Sequence, residues 1–282
     1  MRPWHIGVAM LGVALGGTTP ARAQEAAAAN GHIVTVDGHR VYYEESGTGS
    51  PLLLLHGWGG SASFWRGLTD SLTARHRVIA VDLPGHARSA PLDTSLFFRN
   101  DAAARRLLGL LDVLGIDRAA IVGFSQGGMI GLYMATLAPS RVTDLVTIGA
   151  QAYYAPEVRT FIESGGPDSA NAEVMRDYTA QHGPAQAMQL ARQFWYFRVA
   201  DGDPALTPDR LARIRAHALV IHGGDDFIPL AQAWTLYGGV RGAHLWVVPH
   251  AGHFPFRGAA GAAEFGHQVR AFLAGEWTHD TP

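Results

Sequence analysis

The chain has 282 residues, a formal net charge of −2 and a hydrophobic share of 48%, a size and apolar content that suit one domain around a large core. The mild acidity, without a basic run, argues against nucleic acid or an anionic membrane surface as a partner. The chain holds no cysteine and no lysine, which excludes thiol nucleophiles, disulfides, Schiff bases and P-loop phosphate binding and leaves a histidine-activated serine as the covalent route.

At the N-terminus Arg2 precedes an apolar stretch at 6–15, and Ala21-Arg22-Ala23 before Gln24 has the small-x-small form of a signal-peptidase site. Residues 1–23 therefore read as a signal peptide whose apolar run is too short to span a membrane. Export to a bacterial periplasm or outside the cell is expected, with 24–30 a disordered leader and 31–282 the folded domain.

Residues 33–36 and 41–45 flank Asp37-Gly38 and read as an antiparallel hairpin at a sheet edge. A buried strand at 52–55 then opens into His56-Gly57-Trp58-Gly59-Gly60. Such a turn can present the Trp58 backbone N–H to an oxyanion, with His56 bracing the loop. The strand at 78–81 ends at Asp82, read as structural, and a helix is expected at 102–114.

The strand at 119–124 runs into Gly123-Phe124-Ser125-Gln126-Gly127, followed at once by an apolar helical pattern. A serine on so sharp a strand-to-helix turn has its hydroxyl pushed away from the backbone, and the Gln126 N–H beside the helix N-terminus can hold an oxyanion. Alone, Ser125 reads equally well as a helix N-cap. Its context decides.

After a strand at 142–148 the alternation lapses between about 151 and 210, where helical patterns at 173–181 and 185–197 read as a cap over the site. Aromatic residues concentrate there, and Tyr153, Tyr154 and Trp195, with Trp58, are the candidates for an apolar substrate pocket. A strand at 219–222 leads to Asp225 and Asp226, either of which could accept a hydrogen bond from a histidine Nδ1–H. The strand at 245–248 leads to His250 and His253, the latter beyond the flexible Gly252, where it could act as general base and then acid. A helix at 262–273 closes the chain. Strands alternating with helices imply an α/β fold, a mostly parallel eight-stranded sheet with helices on both faces and a small helical cap. Serine, acid and histidine in that chain order belong together at the C-terminal edge of such a sheet.

These segments, with Phe64-Trp65 on the first helix and the run from Val78 to Ser89, resemble the α/β-hydrolase superfamily in its short-cap subgroup, over roughly 31–275. Ala87 stands where that family usually has glycine. The resemblance implies Asp226 as the acid, three residues after Gly223, and His253 as the base. Dehalogenases and epoxide hydrolases of the fold carry aspartate at the position of Ser125, and proline iminopeptidases carry a different oxyanion loop. His56-Gly57-Trp58 with Gly123-Phe124-Ser125 is similar to the cofactor-free perhydrolase and arylesterase branch, which commonly has methionine where Gln126 stands.

The implied activity is hydrolysis of a small or medium carboxylic ester, through an acyl-enzyme and without cofactor or metal. The partner is a small-molecule substrate. Alternatives on the same residues are amide, lactone or carbon–carbon bond hydrolysis and perhydrolysis. From other classes come a non-catalytic binding protein and a metal site of His244, His250, His253 and His267, whose spacing matches no recognised ligand pattern.

Overall fold

The computed structural model describes residues 30–92, 97–165, 172–200, 202 and 204–277. The expected signal peptide and residues 24–29 of the leader lie outside the described residues. Eight strands form one sheet: β1 (Gly31–Val36), β2 (His39–Ser46), β3 (Ser50–Leu55), β4 (His76–Val81), β5 (Ala119–Phe124), β6 (Val142–Ile148), β7 (His217–Gly223) and β8 (His244–Val248). Their spatial order is β1-β2-β4-β3-β5-β6-β7-β8. The pairs β1·β2 and β2·β4 are antiparallel and all the others parallel, which puts the expected hairpin at the sheet edge.

The central strands are nearly continuous apolar runs because both faces of a parallel sheet are covered. Alternation along each strand splits them between two cores. Leu53, Leu55, Ile79 and Ile121 face one side, with α2 (Asn100–Val113), α3 (Gln126–Leu137) and α8 (Leu230–Gly239). Leu52, Leu54, Val78 and Val122 face the other, with α1 (Arg66–Leu72) and α9 (Ala259–Leu273). Helix α3 is buried from Gln126 to Thr136 and is accordingly apolar on every face.

Between β6 and β7 the chain leaves the sheet and forms α4 (Pro156–Gly165), α5 (Ala172–His182), α6 (Pro184–Tyr196), a 3-10 turn (Phe197–Val199) and α7 (Pro208–Leu211). We refer to this helical segment as the cap. Gly183, at φ 76, and Pro184 at the start of α6 make the sharp turn between its two long helices. Helices α4 and α8 were not singled out in the sequence, and Phe64-Trp65 lie in a 3-10 turn (Ala62–Trp65) that leads into α1 rather than in the helix itself. Strands β3, β5, β6, β7 and β8 run in the same direction, so the loops after them gather along one sheet edge, where ligands bind in open α/β sheets.

Candidate active site

Strand β5 ends at Phe124 and α3 begins at Gln126, which leaves Ser125 alone to make the turn at φ 51, ψ −114. A residue with a side chain is strained there and persists only where its surroundings over-determine it. Those surroundings are glycines. A β-carbon on Gly127 would collide with the carbonyls of Leu55 and His56, and one on Gly128 would lie 2.9 Å from the Ala150 methyl. Helix and strands can therefore meet backbone to backbone, and the Ser125 N–H is pinned to the Ile148 carbonyl at 2.7 Å.

His253 Nε2 lies 3.0 Å from Ser125 Oγ, and its Nδ1 lies 2.9 and 3.0 Å from the two carboxylate oxygens of Asp226. With Nδ1–H donated to the carboxylate, Nε2 is the free acceptor for the serine hydroxyl. The Asp226 side chain is fully buried and also accepts the Ile228 N–H at 3.0 Å. Its neighbour Asp225 is 69% exposed and faces His250, itself 95% exposed, across 3.9 Å. The structure thus separates the two carboxylates and the two histidines that the residues alone left open. Beneath the loop that carries Asp226, His222 Nε2–H donates to the Ile228 carbonyl at 2.9 Å, and burial lowers its pKa, which favours the neutral ring.

The loop from His56 to Gly60 passes directly beside Ser125: a β-carbon on Gly57 would lie 3.3 Å from Ser125 Cβ. Among the described residues neither the Trp58 nor the Gln126 backbone N–H has an acceptor. The Gln126 side chain is buried and donates to Asn100 Oδ1, while its backbone N–H is one of the donors that a helix N-terminus leaves unpaired. His56 braces the loop. Its Nε2 accepts the Leu83 N–H at 3.0 Å, which fixes the proton on Nδ1, and Nδ1–H donates to the Gly57 carbonyl at 2.7 Å. Burial lowers its pKa from 6.5 to about 4. Asp82 ties the neighbouring loops, accepting the Ala62 N–H at 2.7 Å and the Arg88 guanidinium at 2.8 and 3.0 Å.

The three pocket candidates fall in different places. Tyr153 is 47% exposed and bridges to Ala205. Tyr154 is buried and stacked on Phe197 at 5.3 Å, and Trp195 is covered by the Arg198 guanidinium at 3.2 Å. Trp58 meets Phe197, Phe98 and His86 edge-on, in the seam between cap and core. The rings beside the histidine are ones the sequence reading passed over. Phe124 lies 4.9 Å and Phe227 4.7 Å from the His253 ring, and Phe161 of the cap stacks on Phe227 at 4.5 Å. Among the described residues no three His, Asp or Glu side chains group so as to hold a metal ion, and no helix is long and apolar enough to cross a membrane.

A family model described as the alpha/beta hydrolase fold matches residues 50–179. The chain is also 35% identical over 245 residues to the 2-hydroxy-6-oxononadienedioate/2-hydroxy-6-oxononatrienedioate hydrolase of Paraburkholderia phymatum, covering 76% of this chain and 85% of that one. The chain belongs to the α/β-hydrolase fold family. This α/β-hydrolase is 30% identical over 246 residues to the pimeloyl-acyl-carrier protein methyl ester esterase of Nitrosomonas europaea, covering 77% and 93% of the two chains. Its fold matches the crystal structure of a hydrolase from Pseudomonas aeruginosa with a TM-score of 0.71 at 25% identity, over 87% of this chain and 99% of that one.

Proposed function

We propose that this α/β-hydrolase cleaves small or medium carboxylic esters with an apolar acyl or alcohol part, through a covalent acyl-enzyme on Ser125. What carries the reading is the continuous hydrogen-bonded line from Ser125 Oγ through His253 to the buried Asp226. Ser125 attacks the ester carbonyl carbon while His253 Nε2 takes its proton, and Asp226 holds the tautomer and stabilises the imidazolium. The backbone N–H groups of Trp58 and Gln126 receive the oxyanion. His253 then gives the proton to the departing alcohol. Water, deprotonated by the same nitrogen, attacks the acyl-enzyme carbonyl, and as the bond to Ser125 Oγ breaks His253 returns that proton to the serine oxygen and the acid is released. Each step uses only the chain's own groups and water, and Phe227 beside the histidine, with Phe161 stacked on it, supplies an apolar wall for substrate.

Purified protein should turn over p-nitrophenyl acetate and butyrate, and Ser125→Ala should lose on the order of 10⁴-fold or more in rate. Equal turnover by the variant would overturn the reading. A second reading, hydrolysis of an oxo-dienoate of the kind named for the Paraburkholderia relative, is favoured by the 35% identity to that protein. It predicts that an oxo-dienedioate is turned over faster than any p-nitrophenyl ester.

We also propose that the protein is exported, on the pattern of residues 1–23. Protein recovered from the periplasm or medium should begin at Gln24; a cytoplasmic chain beginning at Met1 would contradict this.

A further inference from the structure

The loop that carries Trp58 is held from the core by His56, and from the cap by groups on two helices. The ring of Tyr178 in α5 lies against Gly59 so closely that a β-carbon there would collide with it, and Gly59 itself stands at φ 76. One turn further along α5, His182 Nε2 lies 2.8 Å from the Gly59 carbonyl. The indole N–H of Trp58 donates outward to the Leu190 carbonyl of α6 at 3.1 Å, and Ser61 donates to Gln181 at 3.3 Å. Four contacts with the cap therefore fall on Trp58, Gly59 and Ser61.

His182 differs from the others in what its second nitrogen does. Nδ1 lies 2.8 Å from the backbone nitrogen of Ala87. A backbone N–H only donates, so Nδ1 accepts and the ring proton sits on Nε2, directed at Gly59. The ring thus bridges two core loops from the cap, and only its neutral form can make both bonds. Burial acts in the same sense, lowering its pKa against the opposing Gly59 carbonyl and Asp82.

We propose that His182 is a positioning residue of this hydrolase: it locks the cap onto the oxyanion loop, so that the Trp58 backbone N–H is fixed beside Ser125 only while the cap is docked. A cap that lifts to admit substrate loses the bond to Gly59 and the bond from the Trp58 indole together. Redocking restores both and completes the oxyanion site, which confines acyl transfer to the closed enzyme. This inference rests on the serine-hydrolase reading above.

The test compares wild type with His182→Phe, which keeps a ring but neither hydrogen bond. It adds His182→Asn, which can still accept from Ala87 but is too short for Gly59, and His182→Gln, whose longer amide reaches toward Gly59. Active sites are titrated with a fluorophosphonate, and kcat and KM are measured on p-nitrophenyl butyrate. Inhibition by a trifluoromethyl ketone, whose hemiketal oxygen occupies the oxyanion site, is measured in parallel. His182→Phe and His182→Asn should lose about 10- to 100-fold in kcat per titrated site, with KM within about threefold, and lose trifluoromethyl ketone affinity by the same factor. His182→Gln should recover most of both. If His182→Phe does not fold, His182→Asn carries the same expectation. Unchanged kcat and inhibitor affinity per titrated site in a variant lacking the Gly59 bond, with wild type labelled at Ser125, would overturn the latch alone. A wild type that neither turns over the ester nor is labelled would overturn the serine-hydrolase reading and the latch with it.

Discussion

Gly149 leaves open the space that the His253 imidazole occupies. A β-carbon at this position would lie 2.9 Å from His253 Cε1 and 3.0 Å from Nδ1, and 3.3 Å from Asp226 Oδ2. The residue stands at φ 57 just beyond β6, and its N–H is tied to the Ile221 carbonyl of β7 at 2.9 Å, so the backbone has little room to retreat. Gly149→Ala should tilt the imidazole off the serine and lower kcat by about 10- to 100-fold, since small misplacements of a base are costly. The left-handed backbone should cost a further 1–2 kcal/mol or so of stability. Measuring kcat per titrated active site alongside urea denaturation separates the two effects. Wild-type kcat in a merely less stable protein would show that the imidazole does not need this space.

The two adjacent carboxylates should behave oppositely. Asp226→Asn keeps the shape but presents the wrong partner to Nδ1–H, and should lower kcat on the order of 10⁴-fold. Asp225→Asn, exposed and 3.9 Å from an exposed His250, should stay within about twofold of wild type because such surface pairs contribute little. The ratio of the two rates is the informative quantity; values near one would show that neither carboxylate orients the histidine.

Ala87 stands at φ 43, where a β-carbon costs about 1–2 kcal/mol and glycine costs nothing. Its N–H is the donor to His182. Ala87→Gly should relieve that strain, less the extra freedom gained by the unfolded chain, for a net stabilisation of about 0.5–1 kcal/mol. The check is the urea midpoint, which should rise. A fall would show that the alanine methyl makes packing contacts worth more than the strain.

Four buried histidines make stability depend on pH. Burial lowers the pKa of His56 from 6.5 to about 4, holds His86 well below the ordinary range, and lowers His182 and His222. The unfolded chain takes up protons near pH 6.5 where the folded chain does not, so the stability present above that pH is lost as pH falls toward 4. His56 alone accounts for about 3 kcal/mol of that loss. Urea denaturation at a series of pH values from 8 to 4.5 should show the decline, and His182→Gln should show a shallower one. A flat profile would mean that these rings are not buried in their neutral form.

What the sequence made legible is what adjacent residues decide. A run of apolar residues ending in Gly123-Phe124-Ser125-Gln126-Gly127 specifies its own turn, because the steric demands of the turn fall on the residues that make it. The expected hairpin and the parallel strands appear for the same local reason. Asp225 and Asp226 could not be told apart without the resemblance, since the choice depends on which side chain the turn directs beneath the sheet edge. Gly149 and His182 were missed because their neighbours lie far along the chain and nothing in their own surroundings marks them. Helix α8 escaped because it carries exposed Trp234 and Tyr237 as well as buried Ala233 and Leu236, which blurs its periodicity. An aromatic cap suggests a pocket, but rings also hold a cap to a core, and Trp58 meets Phe197 across that seam.

The most direct measurement is the site of covalent attack. After incubation of the protein with a fluorophosphonate, intact mass should rise by one adduct per chain as esterase activity disappears, and peptide mapping should place that adduct on Ser125. His253→Ala should abolish the labelling. An adduct on another residue, or undiminished ester hydrolysis after Ser125 is fully labelled, would contradict the account.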